Sequence, residues 1–205
     1  MFRSGLPLLR ESAAAGGDLR VRRMLDMFAE GSARLLRMAD GILGLARLED
    51  PAAPIDRRAV DLAGLARARV EAADAAAKEK GVSLDLRAGP GLPPCPADAD
   101  LVGRVLDNLL SNALEHTPKG GKVQVGLERR EDVLRVEVRD TGPGVPAAER
   151  ERIFEKFRKG RASSRGAGLG LAFCRLAVER HGGAIGVSDV ERGGGSVFYF
   201  TLPII

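Results

Sequence analysis

Between Arg22 and Asp50 the sequence keeps a seven-residue rhythm, RRMLDMFAEGSARLLRMADGILGLARLED, and then loses it. Phe28, Leu35 and Ile42 form one row, and Met24, Gly31, Met38 and Leu45 form the other. Two such rows are the a and d positions of a coiled-coil or bundle seam, with charges on the remaining faces. Ahead of them, GLPLLRESAAAGGD reads as a short helical piece that ends at a Gly-Gly turn. Helix, turn and longer helix make a hairpin whose seam needs a cover. A second copy of the same hairpin is the expected cover, and packing on the rest of the chain is the alternative. The prolines of DPAAP, residues 50–54, end the helix and read as a linker. The chain therefore divides into a partial helical hairpin over residues 1–52 and a domain over residues 53–205.

Past the linker, the helical and strand periods alternate. VDLAGLARARVEAADAAAKEKG is an amphipathic helix closed by Gly81, and VSLDLR alternates like a strand. DADLVGRVLDNLLSNALEH is a second helix with an aspartate cap near its start. KVQVGLERREDVLRVEVRD is two alternating runs about a charged turn, hence a hairpin. GLGLAFCRLAVERHGG is a third helix, and AIGVSDVERGGGSVFYFTLP is a closing hairpin with a glycine turn. Helices together with antiparallel strands predict an α+β fold, a sheet covered on one face by helices.

Several functions are disfavoured by bulk properties. No run of about 18 apolar residues is present, and MFRSGLPLLR is too short and interrupted for a signal peptide. The net charge of +4 is modest and no aromatics interleave with the basic residues, which argues against nucleic acid as the main partner. Cys95 and Cys174 lie far apart with no CxxC spacing. They read as buried free thiols of a cytoplasmic protein.

Three polar and glycine-rich stretches interrupt these elements. In NLLSNALEHTP, Asn108 and Asn112 share one face of the second helix, although Asn is a mediocre helix former. In RDTGPGVP, Asp140 stands at a strand end, and Gly142 and Gly144 remove the Cβ atoms that would keep a flat ligand away. By themselves these residues also describe a tight turn. In GAGLGL, Gly166, Gly168 and Gly170 expose amides at a helix start, where an anion such as phosphate is favoured. That stretch does not follow a strand, which disfavours a dinucleotide fold. Between the last two lies IFEKFRKGRASSRG. Phe154 and Phe157 are spaced as one face of a helical turn and read as core. The basic run after them reads as a mobile segment of the kind a nucleotide lid needs.

In this order and spacing, NLLSNALEHTP, DTGPGVP, IFEKF and GAGLGL resemble the N, G1, F and G2 boxes of sensor histidine kinases. Those kinases share an ATP-binding superfamily with gyrase, Hsp90 and MutL. The resemblance covers residues from about 55 to 205, including VERHGG and GGGSVFYFTLP. RLLRMADGILGLARLED is similar to the second helix of the dimerisation and phosphotransfer hairpin that precedes the catalytic domain in such kinases. The resemblance implies a two-layer α/β sandwich of the Bergerat type, a mixed sheet covered by helices. It also implies ATP and Mg²⁺ as cofactors, a response regulator receiver domain as partner, and a homodimer through the N-terminal hairpin. The expected location is cytoplasmic, with any membrane anchor lying upstream of this chain.

Roles follow by resemblance, residue by residue. Asn112 would give its side-chain oxygen to Mg²⁺, which takes few protein oxygens beside phosphates and waters. Asn108 would face the same pocket, at the position where gyrase-like relatives carry a water-activating glutamate. An amide cannot be a general base at neutral pH, so the γ-phosphate is kept for another acceptor. His116 would reach the phosphates or pack nearby. Asp140 would accept a hydrogen bond from the adenine amino group, and Gly142 and Gly144 would let the base approach. Gly166, Gly168 and Gly170, with Leu171 in the same stretch, would hold the phosphates, and Lys156 and Arg158 are candidate cationic partners.

The two histidines, His116 and His181, both lie outside the hairpin. Family members carry an acceptor histidine in the first hairpin helix, in a box like HELRTP, which by counting back would fall just before Met1. Either this chain was trimmed after that box, which is the preferred reading, or the natural protein lacks it. The expected activity is ATP-dependent phosphorylation of a histidine supplied elsewhere, for relay to a response regulator aspartate. The alternative is a degenerate kinase that senses nucleotide or docks a partner without phosphotransfer.

Overall fold

The computed structural model describes residues 19–158, 168–190 and 194–204. The expected short helical piece of residues 5–18 lies outside them. The chain forms two compact units, Met1–Leu43 and Gly44–Ile205. Helix α1 (Leu19–Glu49) supplies, up to Leu43, the described part of the first unit. Phe28, Leu35 and Ile42 of its seam are 62%, 68% and 51% exposed, so among the described residues this row has no cover. Leu45, from the other row, belongs to the second unit and is buried there beside Leu48. The boundary thus falls inside the helix, ahead of the two prolines.

In the second unit the linker is fastened by Arg180. Its guanidinium donates to the carbonyls of Leu48, Asp50 and Ala53 at 3.0, 2.6 and 2.6 Å. After strand β1 (Arg58–Val60), helix α2 (Leu62–Lys80) starts at Asp61, whose carboxylate accepts from the Ala63 and Gly64 amides. It ends at Gly81 in the left-handed region. Strands β2 (Ser83–Ala88) and β3 (Cys95–Ala97) follow. Helix α3 (Ala99–His116) is capped by Asp98, one of the two aspartates near the expected start. It stops where Thr117 precedes Pro118, a place that disfavours helical backbone. The last carbonyls of α3 are taken up by Lys80, which donates to Leu114 and Glu115 at 2.5 and 2.6 Å.

Strands β4 (Lys122–Arg130) and β5 (Val133–Asp140) form the expected hairpin. Two short 3₁₀ turns, Ala147–Glu149 and Arg152–Phe154, lead toward helix α4 (Gly170–Arg180). Strands β6 (Ile185–Asp189) and β7 (Ser196–Pro203) close the domain as an antiparallel pair.

The sheet runs β2-β4-β5-β7-β6. All neighbours are antiparallel except β2 and β4, which are parallel. A uniformly antiparallel set is therefore not what forms. Helix α3 lies between β2 and β4 in the chain and carries it back to the starting end, which is what a parallel pair requires. The sheet is mixed, as the family resemblance implies. A further two-stranded sheet, β1 with β3, has three residues per strand, too few for alternation to be read from sequence.

Period-two alternation puts Val123, Val125 and Leu127 of β4 on the helix side, with Leu134, Val136 and Val138 of β5 and Phe198, Phe200 and Leu202 of β7. Against them pack Leu106, Leu109 and Leu110 of α3 and Phe173 and Ala177 of α4. The opposite face is polar: the Arg135 guanidinium lies 3.9 Å from the Tyr199 ring centroid and pairs with Glu137 at 2.8 Å. One covered face and one open face give the expected two layers. Among the described residues, no helix is long and apolar enough to cross a membrane.

Candidate functional site

The amphipathic pattern of α3 buries Val105, Leu106, Leu109 and Leu110 and leaves Asn108, Asn112 and His116 half-buried along one line. That line borders the other two polar stretches. Gly142 lies against the end of α3: a Cβ there would stand 2.9 Å from the His116 carbonyl oxygen and 2.8 Å from Asp140 Oδ1. Gly170, the first residue of α4, lies against the middle of the line. A Cβ on Gly170 would be 3.1 Å from Asn108 Oδ1. These close approaches bring together three segments that are distant in sequence.

Asp140 ends β5 with its side chain buried at 3% exposure. Its Oδ1 accepts from the Gly142 amide at 2.8 Å, and the Ser196 amide hydrogen-bonds the same carboxyl. Burial pushes this carboxyl above the usual carboxylate range, and the two amides and the neighbouring His116 pull it back. An ionised carboxylate offers about four acceptor directions, more than two amides use. A buried carboxylate with spare acceptor capacity beside a glycine floor fits a flat ligand with an amino edge, such as adenine.

The contribution of the closing hairpin is not legible in the sequence as a site feature. Its GGG run reads only as a turn. In the fold, a Cβ at Gly195 would overlap the Asp140 carbonyl oxygen, and one at Gly144 would come within 3.1 Å of the Gly195 carbonyl oxygen. The glycines thus let the start of β7 back the loop that holds Asp140.

The glycine stretch before α4 is described in part. Gly166 lies outside the described residues, as do Arg161 and Arg165. Gly168 has φ +72 and is pressed on the backbone of Phe157 and Arg158: a Cβ there would sit 2.6 Å from the Arg158 carbonyl oxygen. Leu169 is buried and Leu171 half-buried at the opening of α4. Lys156 is in an ion pair with Glu49, and Arg158 pairs with Glu155 at 3.1 Å. Both candidate cations are thus held by carboxylates in this state.

The paired reading of Phe154 and Phe157 as core is corrected. Phe154 is 6% exposed and Phe157 69%. The 3₁₀ turn stops at Phe154, and Phe157 takes φ 61, so the helical spacing that would have put both rings on one face is broken. A bulky residue at positive φ is uncommon and is held here by the packed backbone of Gly168.

Among the described residues, no group of three or more His, Cys, Asp or Glu side chains is gathered for a metal. A divalent ion at this site would therefore lean on an amide oxygen such as that of Asn112 and on ligand phosphates, a set that suits Mg²⁺. Cys95 and Cys174 are free and buried. His181 is buried, with its two ring nitrogens engaged by Asp98 and Ala177.

Residues 97–205 match the family described as histidine kinase-, DNA gyrase B- and HSP90-like ATPase. The alginate biosynthesis sensor protein KinB of Pseudomonas aeruginosa is 32% identical, over 96% of this chain and 33% of its own length. The adaptive-response sensory kinase SasA of Rippkaea orientalis is 44% identical, over 62% of this chain and 33% of its own length. Among solved structures, full-length ShkA in complex with AMPPNP has a TM-score of 0.79 at 33% identity, covering 91% of this chain and 39% of that one. Histidine kinase ThkA in complex with the response regulator TrrA has a TM-score of 0.74 at 25% identity, covering 90% of this chain and 52% of that one. The chain spans about a third of the length of the two curated relatives.

Proposed function

The chain belongs to the histidine kinase-, DNA gyrase B- and HSP90-like ATPase family, and from that premise we propose that it is the ATP-binding catalytic part of a sensor histidine kinase. Its reaction is transfer of the ATP γ-phosphate to a histidine, for relay to an aspartate of a response regulator receiver domain. Support comes from its likeness to proteins named as sensor kinases and to structures named as an AMPPNP complex and a kinase–regulator complex.

The observation that carries the reading is the buried Asp140 carboxyl with its Gly142 neighbour, brought beside the line of Asn108, Asn112 and His116. Asp140 accepts from the adenine amino group. Asn112 offers an oxygen to Mg²⁺, which when bound neutralises phosphate charge. Gly168 and Gly170 let the opening of α4 pack on Arg158 and Asn108, and the phosphates are assigned to that opening, where helix-start amides and the helix dipole favour an anion. Asn108 cannot take a proton from water, so the site favours transfer over hydrolysis. Positioning and electrostatics carry such a transfer, with little covalent work by the protein.

The exposed Phe28, Leu35 and Ile42 row is read as the homodimer seam, and the site as working on the cytoplasmic side, where ATP is available. The test is calorimetry of residues 1–205 with ATP and Mg²⁺. Micromolar-range binding is expected, and no binding in the presence of Mg²⁺ would overturn the reading.

A further inference from the structure

Helix α3 ends without the left-handed glycine that closes α2. Its cap, Thr117, is extended at φ −74 and ψ 125, and Pro118 follows. A left-handed cap folds the chain back and returns amides to the last carbonyls of a helix. Here Thr117 serves Ala113 alone, through its amide at 3.0 Å and its hydroxyl at 2.7 Å. Pro118 has no N–H for the Leu114 carbonyl. The carbonyls of Leu114, Glu115 and His116 thus stand open at the negative end of the helix.

Lys80, the last residue of α2, meets that need from outside. Its Nζ donates to the Leu114 and Glu115 carbonyls at 2.5 and 2.6 Å. Two backbone bonds fasten the same corner. The Gly120 amide donates to the Gly81 carbonyl at 2.8 Å, and the Ser83 amide to the Gly121 carbonyl at 3.0 Å. The remaining carbonyl, that of His116, lies against the candidate site, since a Cβ on Gly142 would stand 2.9 Å from its oxygen. The Gly142 amide in turn donates to Asp140. Gly121 meets the same loop from the other side: a Cβ there would touch both Thr117 Cγ2 and Thr141 Oγ1.

We propose that Lys80 is a positioning residue for the adenine end of the site, holding the last turn of α3 against the loop that carries Asp140 and Gly142. The proposal rests on the reading of Asp140 as the adenine acceptor. Without the ammonium group two carbonyls lose their donor and the last turn of α3 frays. The His116 carbonyl then has no fixed place against Gly142, and the floor on which the base would lie is no longer set. The middle of α3, with Asn108 and Asn112, is held by its own helix bonds and by the buried Leu106, Leu109 and Leu110. Lys80 therefore acts on the adenine end of nucleotide binding and leaves the metal-dependent part alone.

The experiment is calorimetry of ATP binding to residues 1–205, well below melting, with Mg²⁺ and with EDTA. Wild type is compared with Lys80→Met, Lys80→Arg, Asp140→Asn and the double variant Lys80→Met with Asp140→Asn. Lys80→Met should weaken ATP binding about fivefold, part of the loss of two charge-assisted hydrogen bonds. The factor should be the same with Mg²⁺ and with EDTA. Lys80→Arg still donates to two carbonyls and should restore most of the affinity. The double variant should lose less than the product of the two single losses, because both act on one contact. Thermal unfolding checks that each variant is folded, and Lys80→Gln, which keeps a donor for one carbonyl, replaces Lys80→Met if that one is not. A purely structural lysine would lower the melting temperature and leave affinity unchanged, and that result would overturn the proposal. A loss confined to Mg²⁺, or losses that multiply in the double variant, would overturn it as well. Absence of ATP binding in the wild type would instead remove the nucleotide reading on which it stands.

Discussion

The Asp98 amide donates a 3.0 Å hydrogen bond to Nε2 of His181, tying the cap of α3 to the end of α4. The other ring nitrogen, Nδ1, donates to the Ala177 carbonyl at 2.7 Å. The two bonds together require the neutral ring with its hydrogen on Nδ1. They join the helix that carries Asn108 to the helix that opens at Gly170, so a structural histidine holds the spacing of the site.

This arrangement predicts a pH-dependent stability. Burial holds the His181 ring below its ordinary value near 6.5, with nearby Arg57 and Arg180 acting in the same direction. The folded value therefore lies below the unfolded one. Its stabilisation is fully present above about pH 6.5 and is lost as pH falls through the depressed folded value. The melting temperature should drop as pH falls below about 6.5, and His181→Gln should flatten that drop. His181→Ala leaves the Asp98 amide and the Ala177 carbonyl unpaired and should cost about 2–3 kcal/mol at neutral pH by denaturant unfolding. A variant as stable as wild type would show that the ring is not holding the two helices.

Asp140 sets stability against binding. Burial raises its carboxyl above the usual range, so the folded value exceeds the unfolded one, and the ionised form opposes folding at neutral pH. Asp140→Asn keeps an oxygen for the Gly142 amide while removing the buried charge. The variant should melt at or above the wild-type temperature yet bind ATP about tenfold more weakly, since a neutral acceptor replaces a charged one. In wild type, ATP affinity should begin to fall at a higher pH than an ordinary aspartate near 3.8 would give. Equal affinities for wild type and Asp140→Asn by calorimetry would sink the adenine assignment.

What the sequence made legible is what local rules control. The aspartate cap of α3, the Gly81 stop and both hairpins follow from local residue preferences. The shared face of Asn108 and Asn112 follows from helical spacing alone. Tertiary contacts are where reading failed. The positive φ of Phe157 is held by Gly168, eleven positions on, and nothing in FEKF signals it. Pairing of Lys156 with Glu49 joins segments about a hundred residues apart. The partner of the Cys174 thiol, the Val105 carbonyl, was hidden because it lies on another helix. The parallel β2–β4 pair was hidden for a related reason: alternation shows that a strand exists but not its direction.

The helical seam of the first unit gives a third prediction. Phe28, Leu35 and Ile42 are more than half exposed along one row of α1. Soluble monomers seldom leave a contiguous apolar stripe of this kind open. Light scattering of residues 1–205 at micromolar concentration should give two chains per particle. Leu35→Asp together with Phe28→Asp should give one, with helix content kept, because a charge in an a/d row is tolerated only when it reaches water. Wild type running as one chain per particle across that range would rule the seam out as a dimer contact.

The last prediction concerns where phosphate can go. Residues 1–205 should bind ATP but fail to label themselves with its γ-phosphate. His181 is buried at 3% exposure, and each of its ring nitrogens already has a partner. A phosphoryl group could be accepted there only by breaking the join between α3 and α4. His116 ends α3 within the influence of Asp140, and in the proposed site it would lie too close to the nucleotide for in-line attack. Asn108 cannot serve as a base, so release of phosphate to water should also be slow. A separate helical hairpin carrying an acceptor histidine should become labelled when mixed with this chain and Mg-ATP. The measurement is incubation with radiolabelled ATP, then acid, which destroys phosphohistidine and spares phosphoserine. Label on the added hairpin that acid removes, with none on residues 1–205 alone, is the expected result. Strong acid-labile label on residues 1–205 alone, lost in His116→Gln or His181→Gln, would show that one of these rings is an acceptor after all.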